Sequence, residues 1–132
     1  MVTDSGNDDP VTPKPGKLIH DVVRDEPLWI IFQRDMTIHL KSELIMNSFK
    51  TIDGRGASVG TLRCEAPHDI KGGEDGDGVS IFRENHVWVD HCSLSNCEDW
   101  LSDAIMGSTV ITLSNNYMTH HGKVMVLGHN ET

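Results

Sequence analysis

Apolar residues in this chain come in short runs separated by polar or glycine-rich turns, and no long stretch carries a helical period. Pro27-Leu-Trp-Ile-Ile-Phe32 is rich in β formers and predicts a buried strand. Met36-Thr-Ile-His-Leu40 alternates apolar and polar positions, the pattern of a strand with one covered face. Leu44-Ile-Met46 and Lys50-Thr-Ile52 follow, the second stopped by Asp53-Gly-Arg-Gly56. Further strands are predicted at Val79-Ser-Ile-Phe82, His86-Val-Trp-Val89, Thr109-Val-Ile-Thr-Leu113 and Lys123-Val-Met-Val-Leu127. Leu18-Ile-His-Asp-Val-Val23 fits a short helix and a short strand equally well. Residues 57–78 are poor in apolar periodicity and dense in glycine and acid, which predicts a loop. Residues 1–17 are acidic and then punctuated by Pro10, Pro13, Pro15 and Gly16, so they read as a flexible lead-in to a domain over 18–132.

A weak internal repeat crosses this pattern. Val87-Trp-Val-Asp-His-Cys-Ser-Leu94 aligns with Ile111-Thr-Leu-Ser-Asn-Asn-Tyr-Met118 at an offset of 24 residues. Short strands recurring at that interval suggest a β-solenoid, in which each coil covers its neighbour's apolar edge. From the residues alone, a β-sandwich built of hairpins fits as well.

Charge narrows the partners. Eleven Lys and Arg against 20 Asp and Glu give a net charge of -9, which argues against nucleic acid or an anionic membrane. An acidic polymer would need a cation between it and the protein. The chain has no apolar run of about 18 residues, so no transmembrane helix is expected. Its polar, acidic start has no signal-peptide core, and no signal peptide is expected in these residues. Cys64, Cys92 and Cys97 form an odd, sparse set and are expected to be buried or free thiols rather than a disulfide framework. No zinc-ligand spacing occurs among the cysteines and histidines.

Several segments, taken in order, resemble one family. Pro27-Leu-Trp-Ile-Ile-Phe32, Phe49-Lys-Thr-Ile-Asp-Gly-Arg-Gly56, Asp75-Gly-Asp77, Val87-Trp-Val-Asp-His91, Ser114-Asn-Asn116 and His120-His-Gly-Lys-Val-Met-Val-Leu-Gly-His129 are similar to plant pectate lyases and the related pollen allergens. The resemblance runs from about Val2 to His129. It implies an all-β chain forming part of a right-handed parallel β-helix. It further implies calcium dependence and cleavage of pectin, as polygalacturonate, in the extracellular cell wall. The chain departs from the family pattern in several places. Residues 57–74 stand where the family has at least one further coil. Cys92 replaces an Asn of the family's stacked turn, while Asn116 keeps that position in the next coil. The sequence stops at Thr132, before the family's downstream Arg-Pro-Arg segment.

Asp75, Asp77, Asp99 and Asp103 are the candidate metal ligands. Calcium takes six to eight oxygens, often from carboxylates. Asp75 and Asp77 flank a single glycine, so on a strand both point to one side. Read alone, acidic turns in an acidic chain fit a solvated surface better. An EF-hand loop is excluded, because Val79, Ser80 and His86 stand where its ligands and glycine belong. The resemblance implies calcium ligation by Asp77, Asp99 and Asp103, with Asp75 beside them, and binding of a substrate carboxylate by Lys123. The implied reaction is β-elimination, in which a base removes the proton beside the uronate carboxyl and the glycosidic oxygen leaves. The family's base is a downstream Arg. Arg24, Arg34, Arg55, Arg63 and Arg83 are the arginines here, and none matches that position. These 132 residues are therefore expected to have little or no lyase activity. A calcium-dependent polyuronide binder without turnover and a non-functional fragment are the alternatives. His120 and His121 are expected to be structural or surface residues.

Overall fold

The computed structural model describes residues 1–6, 9, 11–41, 43–55, 57, 77–97 and 99–128, together with the backbone of 60–64. Twelve strands and one helix lie within these residues. The strands are β1 Leu28–Ile31, β2 Met36–Leu40, β3 Leu44–Ile45, β4 Lys50–Asp53, β5 Gly60–Cys64 and β6 Val79–Phe82. They continue as β7 Asn85–Asp90, β8 Cys92–Ser95, β9 Ser102–Ile105, β10 Thr109–Ser114, β11 Tyr117–Thr119 and β12 Met125–Leu127. Every third strand stacks on its predecessor, giving a first sheet β1-β4-β7-β10, a second β2-β5-β8-β11 and a third β3-β6-β9-β12. All nine pairings are parallel. Three strands make one coil, and the architecture is a parallel β-helix, as the resemblance implied.

The register confirms the repeat. Ile111 pairs with Val87 and Leu113 with Val89, the offset of 24 residues visible in the sequence. The second coil is longer, because Lys50 pairs with Val87, an offset of 37. Strand β5 corrects the expectation of a continuous loop over 57–78. Gly60–Cys64 pairs with both β2 and β8 and so completes the second sheet. Its Gly-Thr-Leu-Arg-Cys sequence has too little apolar content to announce a strand, and the neighbouring coils impose the conformation.

The core is the column of inward residues from every coil, including Ile30, Ile38, Leu44, Ile52, Val79, Ile81, Val89, Leu94 and Leu101. Lys50 interrupts one such column, Leu28–Lys50–Val87–Ile111, yet is fully buried. Its ammonium donates at 2.9 Å to the carbonyls of Glu26 and Ser48, satisfying the corner between two coils. Successive coils turn a shared corner at Phe49, His86 and Val110, with φ of 58°, 55° and 56°. Phe49 stacks on His86 there, with centroids 4.9 Å apart.

Leu18–Val22 forms helix α1, resolving the sequence ambiguity. Leu18, Ile19 and Val22 lie on one side of the helical turn and are buried against the first coil. Val2 is fully buried and bridges to Phe32. Among the cysteines, Cys92 is free and buried. Cys97 is disulfide-bonded, which corrects the expectation of thiols throughout.

Candidate functional site

Two of the candidate carboxylates share a cavity on the third sheet. Asp77 lies two residues before β6, and Asp103 lies on β9 in register with Ser80. Both are buried, at 3% and 6% exposure. With Glu43 and Ser80 they line a cavity of about 190 Å³, closed on its apolar side by Ile45, Ile81, Phe82 and Ile105. Three successive coils thus each contribute one carboxylate. Ser80 Oγ donates to Glu43 at 3.0 Å. Asp77 Oδ1 accepts the Trp100 amide at 2.8 Å, and Gly78 donates to the Trp100 carbonyl at 2.9 Å, so the start of β6 is locked to the turn before β9.

Asp99 lies in that turn but is not part of the cavity wall. Its carboxylate is held by the ammonium of Lys123, 24 residues on and one coil above. Lys123 also stands 5.5 Å from the centre of the Trp100 ring, a cation–π distance. His121 Nε2 contacts the Asp99 carbonyl of the coil below, and His120 Nδ1 lies 3.1 Å from Thr119 Oγ1, so only His120 bonds within its own turn. Asp75 falls outside the described residues.

The oxygen donor set of Asp77, Asp103, Glu43 and Ser80 suits a hard cation such as calcium. Among the described residues, no group of three or more His, Cys, Asp or Glu side chains is arranged to hold a metal ion as it stands. Glu43 was not singled out from the sequence. Its place follows from the direct pairing of β3 with β6, and nothing in the apolar pattern reveals which coils touch.

A second polar cluster lies at the end of the first sheet. Asp53 receives two hydrogen bonds from the Arg55 guanidinium, at 2.9 and 2.8 Å, and one from Trp29 Nε1 at 3.0 Å. The bonds from Arg55 hold its carboxyl well below the usual range. Asp90 accepts from Asn115 at 3.0 Å and Ser114 at 2.7 Å, which bring it down to about 2, and it lies 2.8 Å from His91 Nδ1. A cavity of about 530 Å³ opens beside this cluster, lined by Arg55, His91, Asn115 and Tyr117 among others.

The next corner carries the predicted stacked turn. Asn116 Oδ1 accepts the Cys92 amide at 2.9 Å, and Asn116 Nδ2 donates to the Val89 carbonyl at 2.8 Å. One amide side chain therefore satisfies two backbone groups of the coil below. The sequence equivalence of Asn116 and Cys92 is a contact in space.

The whole chain aligns with "Probable pectate lyase 18" of Arabidopsis thaliana at 62% identity. This chain is a homologue of plant pectate lyases. It is 54% identical to "Probable pectate lyase 18" of Solanum lycopersicum and 51% identical to "Pectate lyase" of Zinnia elegans, with all of the chain matched in each case. The chain spans about two fifths of these relatives' length: 40% of the first and 41% of each of the other two. The crystal structure of jun a 1, the major allergen from cedar pollen, superposes with a TM-score of 0.70 at 36% identity, covering 99% of this chain and 47% of the allergen. No family model matches the chain. The alignment with the first relative extends over 164 residues against 132 in this chain, a difference of 32.

Proposed function

We propose that this chain acts on de-esterified pectin through a calcium site built on Asp77, Asp99 and Asp103, with Asp75 beside them, in the manner of a pectate lyase in the plant cell wall. The observation that carries this reading is the pair of buried carboxylates, Asp77 and Asp103, facing one cavity in a homologue of pectate lyases. Bound calcium would neutralise the uronate carboxylate and stabilise the enolate-like charge that develops when the neighbouring proton leaves. The burial of Asp77 and Asp103 favours this use, since ionised carboxylates out of water gain most from a cation. Asp99 would join them from the adjoining turn once Lys123 releases it. Lys123, more than half exposed, would then be available to bind a uronate carboxylate of the substrate.

A second reading is favoured by one observation. None of the five arginines in these 132 residues occupies the position of the family's base. Loss of a general base typically costs 10²–10⁴-fold in rate. A polypeptide of these residues would then bind polygalacturonate through calcium without turning it over. The test is an assay for unsaturated uronide products on polygalacturonate, with calcium and with chelator, using purified residues 1–132. Binding without product supports the second reading, calcium-dependent product formation supports the first in full, and absence of both overturns the proposal.

A further inference from the structure

Two tryptophans stand on the outer surface of the first sheet, away from the Asp77–Asp103 cavity of the third. Trp29, Thr51, Trp88 and Thr112 are in register across β1, β4, β7 and β10. Trp29 is 60% exposed and Trp88 36%. Two strand spacings separate their backbones, about 9.6 Å. Each indole has one polar group, and in both it is already used: Trp29 Nε1 donates to Asp53 at 3.0 Å and Trp88 Nε1 to Ser114 Oγ at 2.7 Å. The rings are held in place from one edge, and their carbon surface is what remains for solvent.

The side chains that hold them lead directly into the cavity of about 530 Å³. Asp53, Asp90 and Ser114 end β4, β7 and β10, and Arg55, His91 and Asn115 follow them onto the cavity wall. Tyr117, also on that wall, is 66% exposed. Fixed aromatic rings in a line, next to a recess of hydroxyl, amide and imidazole groups, match the two faces of a sugar chain. Its C–H groups pack on negatively polarised ring faces, and its hydroxyls both donate and accept hydrogen bonds. The charge selects among sugar polymers. Arg55 is bidentate on Asp53 and lies 3.7 Å from Asp90, so the cluster carries more carboxylate than cation within a chain of net charge -9. A bare polyuronate would be repelled here.

We propose that this face is a calcium-independent binding site for a neutral, hydroxyl-rich pyranose polymer, which stacks on Trp29 and Trp88 and hydrogen-bonds at the Arg55–His91–Asn115 recess. It would tether the chain to esterified or neutral wall polysaccharide while the third sheet engages de-esterified stretches. The choice of polymer rests on the pectate-lyase reading, but the site itself does not involve the calcium ligands.

The test is native affinity electrophoresis in chelator, with fully methyl-esterified polygalacturonate in the gel and de-esterified polymer in a parallel gel. Retardation by the esterified polymer is expected, with weaker retardation by the de-esterified one. Trp29→Ala and Trp88→Ala should each weaken the apparent affinity about two- to tenfold. Trp29→Phe should retain most of it, and circular dichroism should show each variant folded. Equal retardation of wild type and both alanine variants overturns the proposal, as does stronger retardation by the de-esterified polymer in chelator. A dimer that dissociates in Trp29→Ala, without glycan retention, would assign the face to a second copy and also overturn it. Calcium-dependent binding of polygalacturonate by the same variants is a separate readout, so either site can fail without the other.

Discussion

Asn116 sits one coil above Cys92 and accepts its backbone N–H at 2.9 Å. Through Nδ2 it also binds the Val89 carbonyl at 2.8 Å, so a single side chain ties two coils at the corner between the first and second sheets. Truncation leaves both backbone groups seeking new partners in a partly buried turn. Asn116→Ala should therefore destabilise the fold by about 1–3 kcal/mol. Urea unfolding followed by circular dichroism measures this, and an unchanged midpoint would show that the bridge contributes nothing.

Cys92 is buried, and burial pushes its thiol up to about 12. The thiolate is the reactive form, so the folded chain should resist aromatic disulfide reagents at pH 8 and react once unfolded. Counting reactive thiols before and after adding denaturant checks this. Rapid labelling of Cys92 under native conditions would contradict the burial.

Asp90 and Asp53 give the fold an acid limit. Both carboxyls lie below the ordinary value of 3.8, Asp90 at about 2, because hydrogen bonds favour their ionised forms. Their contribution is complete above the unfolded value and is lost as pH falls from about 3.8 toward 2 and below. The urea midpoint should drop across that window, and Asp90→Asn should flatten the drop. An identical pH profile in the variant would remove Asp90 from the explanation.

Lys123 and Asp99 form an ion pair that competes with any cation for the Asp99 carboxylate. Lys123→Ala should therefore strengthen calcium binding in the absence of sugar, while reducing the further gain that oligogalacturonate provides. Isothermal titration with and without the sugar separates the two effects. Weaker calcium binding in the variant without sugar would mean that Lys123 supports the site.

The repeat of 24 residues between Val87 and Ile111 was legible because β7 and β10 keep the same apolar spacing. The offsets of 22 from Leu28 to Lys50 and 37 from Lys50 to Val87 were not, because corner loops vary without changing the strand pattern. Strands β5, β8, β9 and β11 escaped notice for a related reason. Sequences such as Ser102-Asp-Ala-Ile105 are extended through pairing with neighbouring coils, and their own side chains carry little β preference. The candidate carboxylates came from motif resemblance. Chain pattern alone could not show that Asp77 and Asp103 share a cavity with Glu43, because that depends on which coils are adjacent. The Asp53–Arg55–Asp90 cluster stayed hidden for the same reason, as it unites residues 37 positions apart.

Calorimetric titration of residues 1–132 with calcium, alone and with oligogalacturonate, tests the central claim most directly. The proposed site predicts calcium binding that tightens when the sugar is present and is lost in Asp103→Ala. Absence of calcium heat under both conditions would contradict it.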